Sequence, residues 1–178
     1  GLSVDGEALH PARMSIVCSP GETLDLSSPD GAGWHFTSGE PLSCEGASVA
    51  WTAPVSHGIC RLTLSSEHLV QEYAVIVVIE ASRWRTPTLN SFPVGLYGDG
   101  NSRGDNPAYF IEMNPCDEGV RLSSHFTLGE FLGHVDGPYP QYLSLDLRLL
   151  DKLEALITEI GGEYPEPVDI HVMSGFRT

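Results

Sequence analysis

Lysine is nearly missing from this chain. Lys152 stands alone, and with eight arginines it makes nine basic residues against 24 acidic ones, for a formal net charge of -15 at pH 7. The deficit is spread along the sequence: residues 1–85 hold ten acids and four bases, or -6, and residues 86–178 hold fourteen and five, or -9. Neither half makes the basic footprint that a phosphate backbone requires, so a nucleic acid partner is not expected. Acidity of this kind serves solubility first. Long hydrophobic runs are absent as well. The longest, residues 74–79, has the length of a strand and falls far short of the ~18 apolar residues of a membrane span. There is no G-x-S-x-G, no phosphate-binding G-x-x-x-x-G-K and no H-E-x-x-H, which excludes three common ways for a chain to carry its own catalytic centre. Gly1-Leu2-Ser3 has none of the basic, apolar and small-residue order of an export signal, so any such segment was removed or never present.

Cysteine is scarce and unpatterned. Cys18, Cys44, Cys60 and Cys116 form no C-x-x-C, and no H-x-x-x-H lies near them, so they do not spell a zinc site. Four cysteines allow three pairings. Either at least one disulfide forms, as in an exported protein, or the thiols are buried and free. If Cys18 ends the first strand and Cys60 begins the sixth, both fall at one end of a sandwich, and Cys18–Cys60 is the preferred bridge.

What is present has the make-up of a globular protein, 41% hydrophobic and 19% charged. After a lead strand or arm over residues 1–12, short β segments are expected at 14–18, 23–26, 33–36, 48–52, 59–64 and 70–79. Alternation is clear in Thr23-Leu24-Asp25-Leu26 and Cys60-Arg61-Leu62-Thr63-Leu64, where every second side chain can face a core. Pro20-Gly21, Pro29-Asp30-Gly31 and Ser38-Gly39 read as the turns between them. So many short strands without a helical window argue a β-sandwich, with Trp51 as a core side chain. A boundary follows at 81–92, then a loop from 93 to 107 punctuated by Gly95, Gly98, Gly100 and Gly104. Within it, residues 98–105 lack the alternating acids and terminal Glu of a calcium loop.

A strand is expected at 108–113, with Tyr109, Ile111 and Met113 on one side and Phe110 and Glu112 on the other. Thr127 and Glu130 form a capping-box pattern ahead of a short helix from Leu128 to about His134. Leu145, Leu149, Leu150, Leu153, Leu156, Ile157 and Ile160 then recur at three- and four-residue steps. That spacing predicts a long amphipathic helix, with Ser144 as its cap, Asp146 near its positive end, and Gly161-Gly162 as its stop. Residues 168–173 read as a strand leading into Ser174-Gly175-Phe176-Arg177. An arginine in a turn at a strand end commonly meets a ligand.

Four separated blocks occur in a telling order: the lead-in at Pro93-Val94-Gly95-Leu96-Tyr97 and Pro107-Ala108-Tyr109-Phe110-Ile111-Glu112, then Leu122-Ser123-Ser124-His125-Phe126-Thr127-Leu128-Gly129-Glu130-Phe131, then Pro140-Gln141-Tyr142-Leu143 with the leucine-rich helix, and finally Val172-Met173-Ser174-Gly175-Phe176-Arg177-Thr178. From about residue 91 onward the chain resembles the first half of the M15-type zinc peptidases, the D-alanyl-D-alanine carboxypeptidases and murein endopeptidases. Val49-Ala50-Trp51-Thr52-Ala53-Pro54 is similar to bacterial immunoglobulin-like modules.

The fold these resemblances imply is an N-terminal all-β immunoglobulin-like sandwich over 1–82, a linker over 83–107, and a partial α+β M15-like peptidase domain over 108–178. The implied activity is zinc-dependent hydrolysis of peptide bonds in peptidoglycan, in the periplasm or outside a bacterial cell. Arg177 matches the arginine expected to hold substrate or stabilise charge on the scissile carbonyl, and Ser174, with Gly175, matches the substrate-side turn that aims it. Phe176 stands where Tyr is common. The family's zinc ligands, in Ser-x-His and Gly-x-Ala-x-Asp elements and a later His, and its basic Glu come after this block. The stretch 1–178 by itself is therefore expected to bind no zinc and to be inactive. Among the histidines, His125 is expected to cap or pack, and His171 beside Asp169 lacks the further partner that a metal needs. The alternative from another class is a non-catalytic wall-binding protein with a degenerate peptidase half.

Overall fold

The computed structural model describes residues 1–67, 69–81, 88–95, 107–133, 137–163, 170–173 and 175. Its strands are β1 (Ser3–Val4), β2 (Glu7–Ala8), β3 (Ser15–Cys18), β4 (Thr23–Phe36), β5 (Ser43–Thr52), β6 (Gly58–Ser65), β7 (Val70–Val77), β8 (Ile79–Glu80), β9 (Thr88–Leu89), β10 (Phe92–Pro93), β11 (Tyr109–Met113) and β12 (Gln141–Leu143). Among the described residues one α-helix, α1 (Leu147–Glu163), follows, and short 3-10 turns lie at Pro115–Asp117 and Leu128–Phe131. The 98–105 loop, Ser174, Phe176, Arg177, His134 and Asp169 lie outside the described residues, as does most of the 83–107 linker.

The expected immunoglobulin-like sandwich followed by an α+β domain does not form. The described residues are mostly β, built on one curled seven-stranded sheet in the order β2-β1-β4-β6-β7-β3, with β5 on the other edge of β4. A sandwich needs two separately bonded sheets. Here the segments expected at 23–26 and 33–36 are a single strand, because Pro29-Asp30-Gly31 does not turn the chain back. The register against β5 runs from Ser27↔Ser48 to Ala32↔Gly46, so five steps on β4 are taken against two on β5. Such an irregularity bends a strand and increases its twist. On its far edge β4 then pairs with β1 before the bend and with β6 after it. The sheet wraps round its own inner face, and β3 closes the far side in parallel with β7.

That inner face is the first core. Leu24, Leu26, Trp34, Phe36, Trp51, Leu62, Tyr73 and Val75 are all buried in it. Trp51 stacks on Phe36 with ring centroids 5.0 Å apart and donates its indole N–H to the Ser38 carbonyl. Gly39, at φ +87°, passes so close to the Trp51 ring that a Cβ would fall 2.5 Å from it, and glycine alone tolerates both the dihedral and the approach.

The four cysteines are free. Cys18 on β3 is level with Val77 and Cys60 on β6 is level with Val75, with β7 lying between them. Two inter-strand spacings of ~4.8 Å exceed the ~7 Å that a bridge tolerates. Burial, followed by the nearby Glu22 and Cys60, pushes the Cys18 thiol up to about 12.

Beyond Val78 the chain enters a second sheet, β12-β11-β8, antiparallel throughout. Alternation along β11 works as its sequence predicts. Ile111 and Met113 face a second core with Leu122, Phe126, Leu128, Phe131, Leu143, Leu150 and Ile157. Phe110 faces a third cluster with Leu89, Phe92, Val94 and Tyr142, under the β9–β10 hairpin. Residues 170–173, expected to end a strand, have no strand pairing.

Candidate functional site

The segment 121–127 folds back on itself. Arg121 bridges Thr127, and the Leu122 and Ser123 N–H groups both donate to the Phe126 carbonyl. This tight loop is pinned from outside by residues 12–15: Met14 N–H and Ser15 Oγ donate to the Leu122 carbonyl at 2.9 and 2.8 Å, and Ser124 N–H donates to Ala12 at 2.8 Å. Arg13 reaches over it to Asp151 of α1 in a two-pronged ion pair whose Nε–Oδ1 distance is 2.9 Å.

His125 sits at the tip of this loop, opposite Glu154. The carboxylate accepts the His125 backbone N–H at one oxygen, 2.9 Å away, and contacts the ring Nδ1 with the other, 2.7 Å away. Glu154 is 2% exposed, on the apolar face of α1 among Leu147, Leu150 and Ile157. Burial alone would push its pKa up, but the adjacent Ser123 hydroxyl and the His125 ring and backbone N–H outweigh it and hold the group below the ordinary carboxylate value. The Ser123 hydroxyl, itself fully buried, makes no hydrogen bond of normal geometry. An ionised carboxylate can only accept, so the proton between the two residues belongs to Nδ1. The contact fixes the orientation of the half-exposed ring. The expected capping or packing role of His125 is thus an anchoring one.

Thr127 and Glu130 behave as their spacing predicts: Glu130 accepts the Thr127 N–H at 2.6 Å and its hydroxyl at 2.8 Å. The box starts the Leu128–Phe131 turn, and Phe131 meets Gly175. A Cβ added to Gly175 would fall 1.9 Å from the Phe131 carbonyl oxygen.

A second polar chain links the two sheets. His57 Nε2 lies 3.1 Å from Glu112, Tyr142 donates to the same carboxylate oxygen at 2.9 Å, and Asn90 donates to the Tyr142 hydroxyl at 2.6 Å. Burial first, and then the bond to Glu112, push the Tyr142 phenol up to about 12. An open cleft of about 690 Å³ lies where the outer face of the curled sheet meets residues 116–121. Arg61, Glu72, Tyr73, Cys116 and Arg121 are among its lining. Its charges already have partners, Arg61 with Glu72 and Arg121 with the Ser124 carbonyl.

Among the described residues no three His, Cys, Asp or Glu side chains converge, and His125 and Glu154 are spent on each other, whereas a catalytic zinc takes three protein ligands. Ser174 and Arg177, the residues the sequence singles out, lie outside the described residues. The leucine spacing of α1 sets Asp151 and Glu154 off its apolar face, yet Glu154 is buried among Leu147, Leu150 and Ile157. No family model, curated protein or solved structure matches this chain. Among the described residues no helix is long and apolar enough to cross a membrane.

Proposed function

We propose that this chain is part of an exported bacterial peptidase of the M15 zinc type, acting on peptide bonds of peptidoglycan as a D,D-carboxypeptidase or endopeptidase. The observation that carries the reading is the seat of Gly175 on Phe131. The two residues belong to different blocks of the resemblance, far apart in sequence, and they meet at a spot where only glycine fits. The block containing His125 is tied just as closely to the leucine-rich helix through Glu154. These contacts support reading the blocks as parts of one unit.

In this reading Arg177, two residues after Gly175, holds a substrate carboxylate or the charge that develops on the scissile carbonyl. Both tasks suit a planar guanidinium, and Ser174 shapes the substrate side of the turn.

The test is hydrolysis of D-alanine-terminated peptidoglycan peptides by the protein as encoded, supplied with zinc. Wild type releases D-alanine or opens a cross-link, and Arg177→Ala lowers turnover about a hundredfold with zinc content unchanged. Absence of hydrolysis by wild type with zinc bound would reject the reading, and retention on cell walls without hydrolysis would favour a wall-binding protein instead.

A further inference from the structure

Helix α1 carries a wide apolar face and leaves one edge of it in solvent. Leu147, Leu150 and Ile157 face the second core, with Glu154 among them. At the edge of that face Leu149 and Leu156 are 44% and 46% exposed, and half-buried Leu153, which also packs on the second core, and half-buried Ile160 complete their line. Positions 149, 153, 156 and 160 advance by four, three and four residues, the spacing of a coiled-coil seam. A solvated helix edge has no use for Leu149 and Leu156 in register with this line.

We propose that this stripe joins two copies of the chain, packed antiparallel about a two-fold axis that passes between residues 153 and 156. The charge pattern argues for this occupant. On the flank of the seam away from the core stand Lys152 and, one heptad later, Glu159, both exposed. The antiparallel arrangement sets Leu149 against Ile160 and Leu153 against Leu156 of the other copy. It brings Lys152 of each copy beside Glu159 of the other, so the two-fold makes the pair twice. A parallel arrangement would put the Lys152 flanks of the two copies on opposite sides of the seam and make no such pair. The only lysine of the sequence therefore lies where an antiparallel seam needs a cation.

The net charge of -15 opposes self-association, but salt near 0.15 M screens charges more than about 8 Å apart while leaving pairs at contact distance. The contact of two short helices falls at the small end of specific interfaces, below about 1,200 Å² in total, so the dimer is reversible.

Sedimentation equilibrium at physiological salt, with reductant present so that exposed Cys116 cannot cross-link, measures this directly. The expected mass rises from one chain to two between micromolar and millimolar protein. Leu156→Glu abolishes the rise with little change in the thermal midpoint, because the side chain is already half in solvent. Lys152→Glu and Glu159→Lys each weaken association about tenfold, and the two together restore it. A protein that stays monomeric throughout, whether or not lipid vesicles retain it, overturns the proposal. So does a dimer that Leu156→Glu leaves intact, or a double variant as weak as either single one.

Discussion

Glu154 is held ionised inside a helix–loop contact, and that sets a pH dependence. Its pKa is lower in the folded chain than in the unfolded one, because the Ser123 hydroxyl and the His125 ring and backbone N–H outweigh the cost of burial. A group of this sign contributes stability that is fully present above its unfolded value, near ~4.3, and is lost as pH falls through the lower folded value. Glu154→Gln removes the charge and leaves the donors of His125 with a weaker acceptor. At pH 7 it is expected to cost about 1–3 kcal/mol, read as a lower urea midpoint, with the gap to wild type closing below about pH 4. An equal gap at pH 7 and pH 3 would contradict the assignment. The position was not legible in the sequence: the leucine spacing sets Glu154 off the apolar face with Asp151 and Lys152, whereas it lies buried between Leu150 and Ile157. Nor were its donors, because nothing local joins the His125 loop to a helix 29 residues on. The cysteines mislead for a similar reason: strand ends can be guessed from the pattern, but which strand lies between Cys18 and Cys60 cannot.

Helix α1 shows where periodicity suffices and where it does not. Its existence and buried face follow from leucine spacing, but its start depends on cap geometry. Asp146 Oδ1 accepts the Arg148 N–H at 3.0 Å, and the Asp146 carbonyl accepts the Leu149 N–H at 2.9 Å. Asp146 is therefore the cap, and Ser144 lies two residues further out. The stop also shifts: Gly161 and Gly162 have open space around them and remain helical, so the helix reaches Glu163. Glycine raises the cost of a helical residue by roughly 1 kcal/mol, which the packed turns before it absorb. Asp146→Ala is expected to lower stability by about 1 kcal/mol in chemical denaturation, and Ser144→Ala by no more than a few tenths. The reverse order would restore Ser144 as the cap. In β4 the misreading has the opposite origin. Pro29-Asp30-Gly31 has the chemistry of a turn, yet pairing on both edges of the strand keeps the chain running through it. Tertiary pairing overrode the local signal.

The β segments were legible one by one, yet the sandwich did not follow from them. Strand order is decided by which edges meet, and both the bend in β4 and the parallel β3–β7 pairing are long-range choices. The same pairing makes the two halves of the chain share a core. β7 gives Tyr73, Val75 and Val77 to the first cluster and Ile76 to the second, with Val78 continuing the second, because successive side chains of a strand point to opposite faces. Val17 and Ile59 from β3 and β6 also pack on the second cluster. The second core therefore rests on the outer face of the first sheet, and losing either one exposes apolar surface on the other. A single calorimetric transition is expected, with calorimetric and van't Hoff enthalpies equal. Ile76→Ala, at a side chain 1% exposed, should cost about 2–5 kcal/mol. At ~2–4 °C per kcal/mol for a chain of this size, the whole transition should move down together, whether followed by the Trp34 and Trp51 fluorescence of the first core or by the helical signal of α1. Two separate transitions, with Ile76→Ala moving only the helical one, would show that the sheet stands without the second core and that their contact is an addition rather than a common foundation.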